Sequence, residues 1–86
     1  MRITVQCFAR LRELVGRSEW RCDVPAPATI ADVWTVLVTA FPDAAVMTRS
    51  VSAARNAEFA SMTTPVADGD EVAFLPPVSG GSSGVR

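Results

Sequence analysis

The sequence offers few side chains that could carry out chemistry. His, Lys and Tyr are absent from its 86 residues, which removes the usual general base, the commonest metal ligand and the amine needed for a Schiff base. Two Cys, the Ser and Thr hydroxyls, nine carboxylates and the C-terminal end remain. Because a chain of this length forms one domain without room for a deep internal active site, we expect its chemistry at the surface or at a chain end.

A candidate working end lies near the C-terminus, where the sequence reads Pro76-Pro-Val-Ser-Gly-Gly81. Gly80 and Gly81 lack β-carbons, so they can pass through a narrow channel and let another backbone approach closely. Pro76 and Pro77 fix φ and stiffen the root of this segment. The segment can reach about 20 Å at roughly 3.3 Å per residue, which is enough to enter the pocket of a neighbouring protein. Composition alone is equally compatible with a Gly/Ser-rich tail that has no role.

Two strands and a short helical turn are predicted in the N-terminal part. Residues 2–9 and residues 19–24 alternate polar and apolar side chains, which indicates half-buried strands that form a hairpin. Residues 10–16 are predicted to form a short helical turn that ends at Gly16.

The main helix is predicted after Pro27. Thr29 can cap it, with Asp32 three residues later in the position of a capping box. The apolar residues that follow at helical spacing are Ile30, Val33, Trp34, Leu37 and Phe41. Pro42 is predicted to end the helix, which should pack across the sheet.

The remaining elements are short. Residues 51–61 are predicted to form two strands around Asn56, and Asp68-Gly-Asp70 is a turn signal before a last strand over residues 71–75. Together with the resemblance given below, this order indicates an α+β, β-grasp fold: a mixed sheet with one main helix packed across it. We predict a domain over residues 1–78 and a flexible tail over residues 79–86.

Phe8 and Leu75 form a second candidate site. If Ile3, Val5 and Cys7 face the core, alternation turns Phe8 outward, and Leu75 has the same outward parity in the last strand. The outer strands that carry them could be adjacent, so the pair suggests a docking patch for a partner. Incidental exposure, or cover by a loop, is the alternative.

Composition excludes several classes of protein. A net charge of −1 without a basic run argues against nucleic-acid binding. No apolar run is long enough for a membrane span, and the N-terminus lacks the layout of a signal peptide, so we expect a cytoplasmic protein. Cys7 and Cys22 lie in strand-like stretches and are predicted to be core residues. No metal site is expected, because Asp68-Gly-Asp-Glu71 lacks the spacing of a calcium loop.

Several segments resemble one family. Asp68-Gly-Asp-Glu-Val-Ala-Phe-Leu-Pro-Pro-Val-Ser-Gly-Gly81 resembles the C-terminal signature of molybdopterin synthase small subunits, which are ubiquitin-like sulfur carriers. Phe8-Ala-Arg-Leu-Arg-Glu13 resembles that family's first strand and turn, and Asn56-Ala-Glu-Phe59 resembles its Asn-Gly-Glu hairpin, with Ala57 where Gly is usual. The resemblance spans residues 2–81. Thiamine-pathway sulfur carriers share the fold and the Gly-Gly end but usually lack the paired prolines.

The resemblance implies a sulfur-transfer cycle at Gly81. A ubiquitin-activating-like adenylyltransferase would use ATP to adenylate the Gly81 carboxylate, and a sulfur donor would convert it to a thiocarboxylate. The loaded tail would then enter the large subunit of molybdopterin synthase, where its sulfur is transferred to a precursor pterin during molybdenum cofactor biosynthesis. The chain itself would bind no cofactor and have no activity alone. Besides Gly80 and Gly81, the residues expected to contact partners are Phe8, Leu75, Pro76, Pro77, Val78 and Ser79.

The sequence departs from the family in one respect. Gly-Gly ends the chain in that family, whereas Ser82-Ser-Gly-Val-Arg86 follows here, so Gly81 as written has no free carboxylate to adenylate. Trimming by a protease after Gly81, an artificial extension and loss of the carrier function all remain open. A sulfur carrier for thiamine or cysteine synthesis and a non-catalytic ubiquitin-like binding module or protein tag are the alternative functions.

Overall fold

The computed structural model describes residues 1–77, in which helices cover one face of a five-stranded sheet. The strands are β1 (Arg2–Cys7), β2 (Glu19–Asp23), β3 (Ser52–Arg55), β4 (Glu58–Ala60) and β5 (Glu71–Leu75). The helices are α1 (Ala9–Val15), α2 (Ile30–Ala40) and a 3₁₀ helix over Pro42–Met47.

The sheet is mixed, in the order β2-β1-β5-β3-β4. β1 runs antiparallel to β2 and parallel to β5, and β3 runs antiparallel to both β5 and β4. This arrangement confirms the predicted β-grasp fold and the adjacency of the first and last strands. The expectation that these two are outer strands is wrong: the β3–β4 hairpin adds to the far side of β5, so β1 and β5 lie inside the sheet.

The core lies between the sheet and α2. Alternation along β1 and β5 buries Ile3, Val5, Val72 and Phe74 completely, as the sequence pattern predicts. From α2, the side chains of Ile30, Val33, Trp34 and Leu37 are buried against them. The rings of Trp34 and Phe74 meet edge to face with centroids 4.9 Å apart.

The predicted cap of α2 is present. The Asp32 backbone N–H donates to Thr29 Oγ1 at 3.4 Å, and the Thr29 N–H donates to Asp32 Oδ2 at 2.8 Å, which completes a capping box. The helix ends at Ala40, and Pro42 then begins the 3₁₀ helix, which the sequence analysis did not predict. Proline fits there because the first residues of a helix have no intrahelical N–H bond to lose.

None of the helices within residues 1–77 is long and apolar enough to cross a membrane. The predicted domain boundary at residue 78 and the tail over residues 79–86 lie outside the described residues and stay predictions.

Candidate functional site

The root of the predicted working end leaves from the middle of the sheet. β5 is hydrogen-bonded to β1 on one side and to β3 on the other, and its last residue, Leu75, is followed directly by Pro76 and Pro77. Both prolines are exposed, whereas Leu75 is half-buried. The end of β5 is therefore held from two sides, and the exposed Pro76 and Pro77 that follow it are what we call the tail root. Val78, Ser79, Gly80 and Gly81 lie outside the described residues.

Phe8 lies beside this root, although not inside a strand as predicted. It is the residue before α1, and its carbonyl accepts hydrogen bonds from the N–H groups of Leu11 at 3.1 Å and Arg12 at 3.3 Å. Its backbone is still extended, with φ −125° and ψ 157°, so the alternation of β1 continues for one more residue. Cys7 is buried and Phe8 is 45% exposed, which confirms the predicted outward direction.

Strand register brings Phe8 and Leu75 to the same end of the sheet. Cys7 is the partner of Phe74 in the parallel β1–β5 ladder. The alternation of both strands continues into the residues that follow, so Phe8 and Leu75 both belong to the face opposite the helices at this end of the sheet.

Phe59 is an exposed aromatic that the sequence analysis did not select. Its strand partner is Ala54, which in turn pairs with Ala73 of β5. Ala73 alternates with the buried Val72 and Phe74, so all three residues of this row belong to the outer face. Phe59 is 71% exposed. The two-residue turn at Asn56 and Ala57 is enough to predict that Phe59 pairs with Ala54, but it does not predict that Ala54 pairs with Ala73.

The apolar side chains that belong to this face are what we call the outer patch: Phe8, Leu75, Ala73, Ala54 and Phe59, of which Ala54 is itself only 8% exposed. It crosses β1, β5, β3 and β4, a width of about 14 Å at the usual strand spacing. Two exposed aromatics on one face of so small a domain are typical of a surface that binds another protein.

A buried carboxylate fixes the β3–β4 hairpin that carries Phe59. Asp70, only 7% exposed, accepts hydrogen bonds from Arg55 Nε at 2.6 Å, the Ala67 N–H at 2.7 Å and Asn56 Nδ2 at 3.1 Å. The Asn56 amide oxygen accepts from the Glu71 N–H at 2.9 Å. The turn is therefore tied to the start of β5, which holds Phe59 in register with the tail root.

Burial acts against hydrogen bonding and charge in setting the pKa of Asp70. Burial by itself raises the pKa of this carboxyl group, but the hydrogen bonds from Arg55, the Ala67 N–H and Asn56, together with the Arg55 charge, outweigh it and lower the pKa. Asp70 is thus held as a carboxylate, and its position before β5 suits a structural role.

The two thiols belong to the core. Cys7 and Cys22 are buried and free, and burial raises the pKa of each thiol, with a further contribution from Asp23 at Cys22. A raised pKa leaves little thiolate near neutral pH, which agrees with the predicted core role. Within residues 1–77, no three His, Cys, Asp or Glu side chains come together as a metal site would require.

Comparisons with known proteins match nearly the whole chain. Residues 5–81 match the ThiS family. The chain is 38% identical over 82 residues to small archaeal modifier protein 1 of Haloferax volcanii, which covers 86% of this chain and 94% of that protein. It is 38% identical over 88 residues to the molybdopterin synthase sulfur carrier subunit of Escherichia coli (strain K12), which covers 92% of this chain and 99% of that protein. The crystal structure of SAMP1 from Haloferax volcanii has a TM-score of 0.79 at 34% identity, over 94% of this chain and 100% of that chain.

Proposed function

The chain belongs to the ThiS family, and on that premise we propose that it is the sulfur-carrier small subunit of a molybdopterin synthase. The observation that carries the proposal is the extent of the family match, which runs through Pro76, Pro77 and the Gly-Gly pair and stops at Gly81. A relative from Escherichia coli, whose match covers 92% of this chain, is named as a molybdopterin synthase sulfur carrier subunit. The family match therefore favours Gly81 as the functional end.

The proposed chemistry takes place on the Gly81 carboxylate. A carboxylate is a poor electrophile, so one of its oxygens first attacks the α-phosphorus of ATP and pyrophosphate leaves. Hydrosulfide released by a sulfur donor then attacks the acyl carbon, AMP leaves, and a thiocarboxylate results. In this proposal ATP is bound by the activating adenylyltransferase, and this chain supplies the carboxylate and a Gly-Gly end narrow enough to enter both partners.

The outer patch suits the docking step of the proposed cycle. Phe8 and Leu75 lie directly beside the tail root, so a protein that binds the patch also receives the segment after Pro77. We propose that the adenylyltransferase and the large synthase subunit each bind this patch, in turn, and that Pro76, Pro77, Val78 and Ser79 line their entrances. Dependence on ATP favours the cytoplasm as the compartment.

Residues 82–86 must be absent from the active form. A carboxylate engaged in the Gly81–Ser82 peptide bond cannot be adenylated, so we propose that a protease cuts after Gly81. If residues 82–86 are instead an artificial extension, the test below has the same expected result, because Gly81 again needs a free carboxylate.

The test compares a chain that ends at Gly81 with the chain that ends at Arg86. Each is incubated with ATP, a sulfur donor and an adenylyltransferase that acts on carriers of this family, and the intact mass is then measured. The shorter chain should gain the mass difference between sulfur and oxygen, and the longer chain should not change. Adding precursor pterin and the large subunit should then return the shorter chain to its original mass. Equal sulfur gain by both forms, or no discharge to the pterin, would contradict the proposal.

A second function, attachment to other proteins, is favoured by the match to the Haloferax volcanii modifier protein. It needs the same adenylated Gly81, but a lysine amine of a target replaces the sulfur nucleophile and an amide bond forms. Adding a lysine-containing protein to the loading reaction separates the two functions, because attachment gives a conjugate larger than the carrier. Sulfur transfer gives only the thiocarboxylate.

A further inference from the structure

We propose that β2 pairs with β2 of a second copy of this chain, so that the sheet continues through an antiparallel homodimer. β2 lies at one end of the sheet order, and no strand within residues 1–77 covers its outer side. The proposal goes beyond the sulfur-carrier function and uses a different part of the molecule.

The backbone groups at this edge can be assigned from the β1–β2 ladder. Cys7 N–H donates to the Ser18 carbonyl at 2.8 Å, and Val24 N–H donates to the Met1 carbonyl at 2.9 Å. Backbone direction alternates along an antiparallel strand, so the groups of Trp20 and Cys22 also turn toward β1. The N–H and C=O groups of the residues between them point to the open edge; these residues are Glu19, Arg21 and Asp23.

The charges along this edge are complementary to themselves. Arg17, Glu19, Arg21 and Asp23 alternate in sign, and Arg17, Glu19 and Arg21 line one shallow depression together with Trp20. If Trp20 lies across from Trp20 of the second copy, Glu19 faces Arg21 and Arg17 faces Asp23, and the two-fold axis repeats both pairs. Opposite charges that face each other across strands stabilise the pairing.

The neighbouring registers are less favourable. A two-fold axis at Arg21 places Arg21 against itself and Glu19 against Asp23, so every pair has like charges. An axis at Cys22 pairs Arg21 with Asp23 but places Glu19 opposite Pro25, which has no N–H to donate, so this register loses a ladder hydrogen bond at each end. Charged side chains usually protect an edge strand from pairing, but the alternation of sign here allows pairing in the register centred on Trp20.

An apolar groove adjoins the same edge. It lies between β2 and α2 and is lined mainly by Trp20, Cys22, Val36 and Ala40, with Thr35 and Thr39, and its rim includes the charged residues Arg21 and Asp23. The hydroxyls of Thr35 and Thr39 donate to the helix carbonyls of Ala31 at 3.1 Å and Thr35 at 2.8 Å. Both hydroxyls therefore keep a hydrogen-bond partner when the groove is covered. In the proposed dimer, Trp20 of the second copy packs against the groove.

The monomer can rearrange to form this interface. Arg21 pairs with Glu19 of its own strand at 3.2 Å, and Asp23 pairs with Arg2 of β1 at 2.9 Å. All four side chains are at least 45% exposed, and exposed pairs of this kind exchange at little cost. β2 lies at the opposite edge from β4, so the dimer leaves Phe59 and the tail root accessible.

The test is a set of charge exchanges followed by sedimentation over a range of protein concentrations. The unaltered chain should reach twice its 9.1-kDa mass. Arg21→Glu and Glu19→Arg each place like charges opposite each other and should weaken dimerisation about tenfold or more. An equimolar mixture of these two variants should form a heterodimer, and one chain with both changes should form a homodimer, because opposite charges face each other again.

Arg49→Glu is the matched control, since it makes the same charge change at an exposed position far from β2 and should leave the mass unchanged. Circular dichroism of each variant reports its folding. A chain that stays monomeric at every concentration, an Arg21→Glu variant that dimerises normally, or a folded double variant that stays monomeric would overturn the proposal. Sulfur loading of the forms that end at Gly81 should be equal in all variants. Loss of dimerisation and loss of the carrier function are therefore detected by different measurements.

Discussion

Phe59→Ala tests whether the outer patch binds the partner that receives the tail. A phenylalanine side chain has about 200 Å² of accessible surface, and Phe59 is 71% exposed. A partner that covers the patch would bury about 140 Å² of this ring, or roughly 3.5 kcal/mol at 25 cal/mol per Å². After subtraction of the methyl group that alanine keeps, we expect a loss of about 2–3 kcal/mol, which is a roughly 30- to 150-fold higher Kd.

The same change should affect folding much less. Only the covered part of the ring, about 60 Å², contributes to the stability of the free protein, so the cost is at most about 1.5 kcal/mol. That corresponds to a fall in Tm of about 5–10 °C for a domain of this size. Truncation of the fully buried Phe74 would instead cost about 3–5 kcal/mol, so the two classes of residue are easily distinguished.

The assay is calorimetric titration with the large subunit of molybdopterin synthase from the same organism, well below the Tm of every variant. Val46→Ala is the matched control, because Val46 is 69% exposed but lies in the 3₁₀ helix, on the helical side of the sheet. Its Kd should stay within about twofold of the original. If Phe59→Ala binds normally, or if Val46→Ala loses as much affinity, the outer patch is not the docking surface.

Three further substitutions test the site and its supports. Phe8→Ala should raise the Kd for the large subunit about tenfold and lower the free energy of unfolding by about 1–2 kcal/mol, because half of this ring is exposed and half is covered. Calorimetry measures the first effect and thermal melting the second. Normal affinity would show that Phe8 is not part of the docking surface. Ala57→Gly should raise the free energy of unfolding, measured in urea, by about 1 kcal/mol, because Ala57 has a φ of 72°, which costs a non-glycine residue about that much. The control Ala31→Gly, inside α2, should lower the free energy of unfolding. If both variants are less stable than the original, the turn is not strained. Asp70→Asn should lower the free energy of unfolding at neutral pH by about 1–3 kcal/mol. Because the pKa of Asp70 is lowered in the folded state, its contribution is complete above the unfolded pKa of about 4 and is lost as the pH falls below that value, so the two proteins should converge in acid; a constant difference would exclude titration of Asp70.

Local patterns predicted most of the elements because each had a local physical cause. Alternation along β1 and β5 predicted which side chains are buried, since side chains in a strand alternate between faces whatever the sheet order. Thr29 and Asp32 predicted the start of α2 because a capping box involves only neighbouring residues. Asn56 predicted the hairpin turn, where its φ is 49°, because asparagine tolerates the left-handed region.

Several features that depend on distant residues were not predicted. The position of β1 and β5 inside the sheet depends on where the β3–β4 hairpin attaches, which no local pattern specifies. Asp70 reads as a turn residue in the sequence, yet in the structure it binds side chains fifteen and fourteen positions earlier. The 3₁₀ helix after Pro42 is stabilised by burial of Ala44 and Met47, which is a tertiary effect. Phe59 was missed for a related reason, because its membership of the outer patch follows from pairing across three strands.

The sheet order also bears on the proposed delivery of the residues that follow Pro77. β5 has neighbours on both sides, so the direction in which Pro76 and Pro77 leave the sheet is set by two ladders of hydrogen bonds. Two residues of the proposed docking surface lie near that exit: Phe8 directly follows β1, and Leu75 ends β5. The same pair of central strands therefore holds both the docking surface and the tail root. Association through an edge strand would leave their relative positions unchanged. An edge position for β5 would instead couple any self-association directly to the tail root, and the central position avoids that coupling.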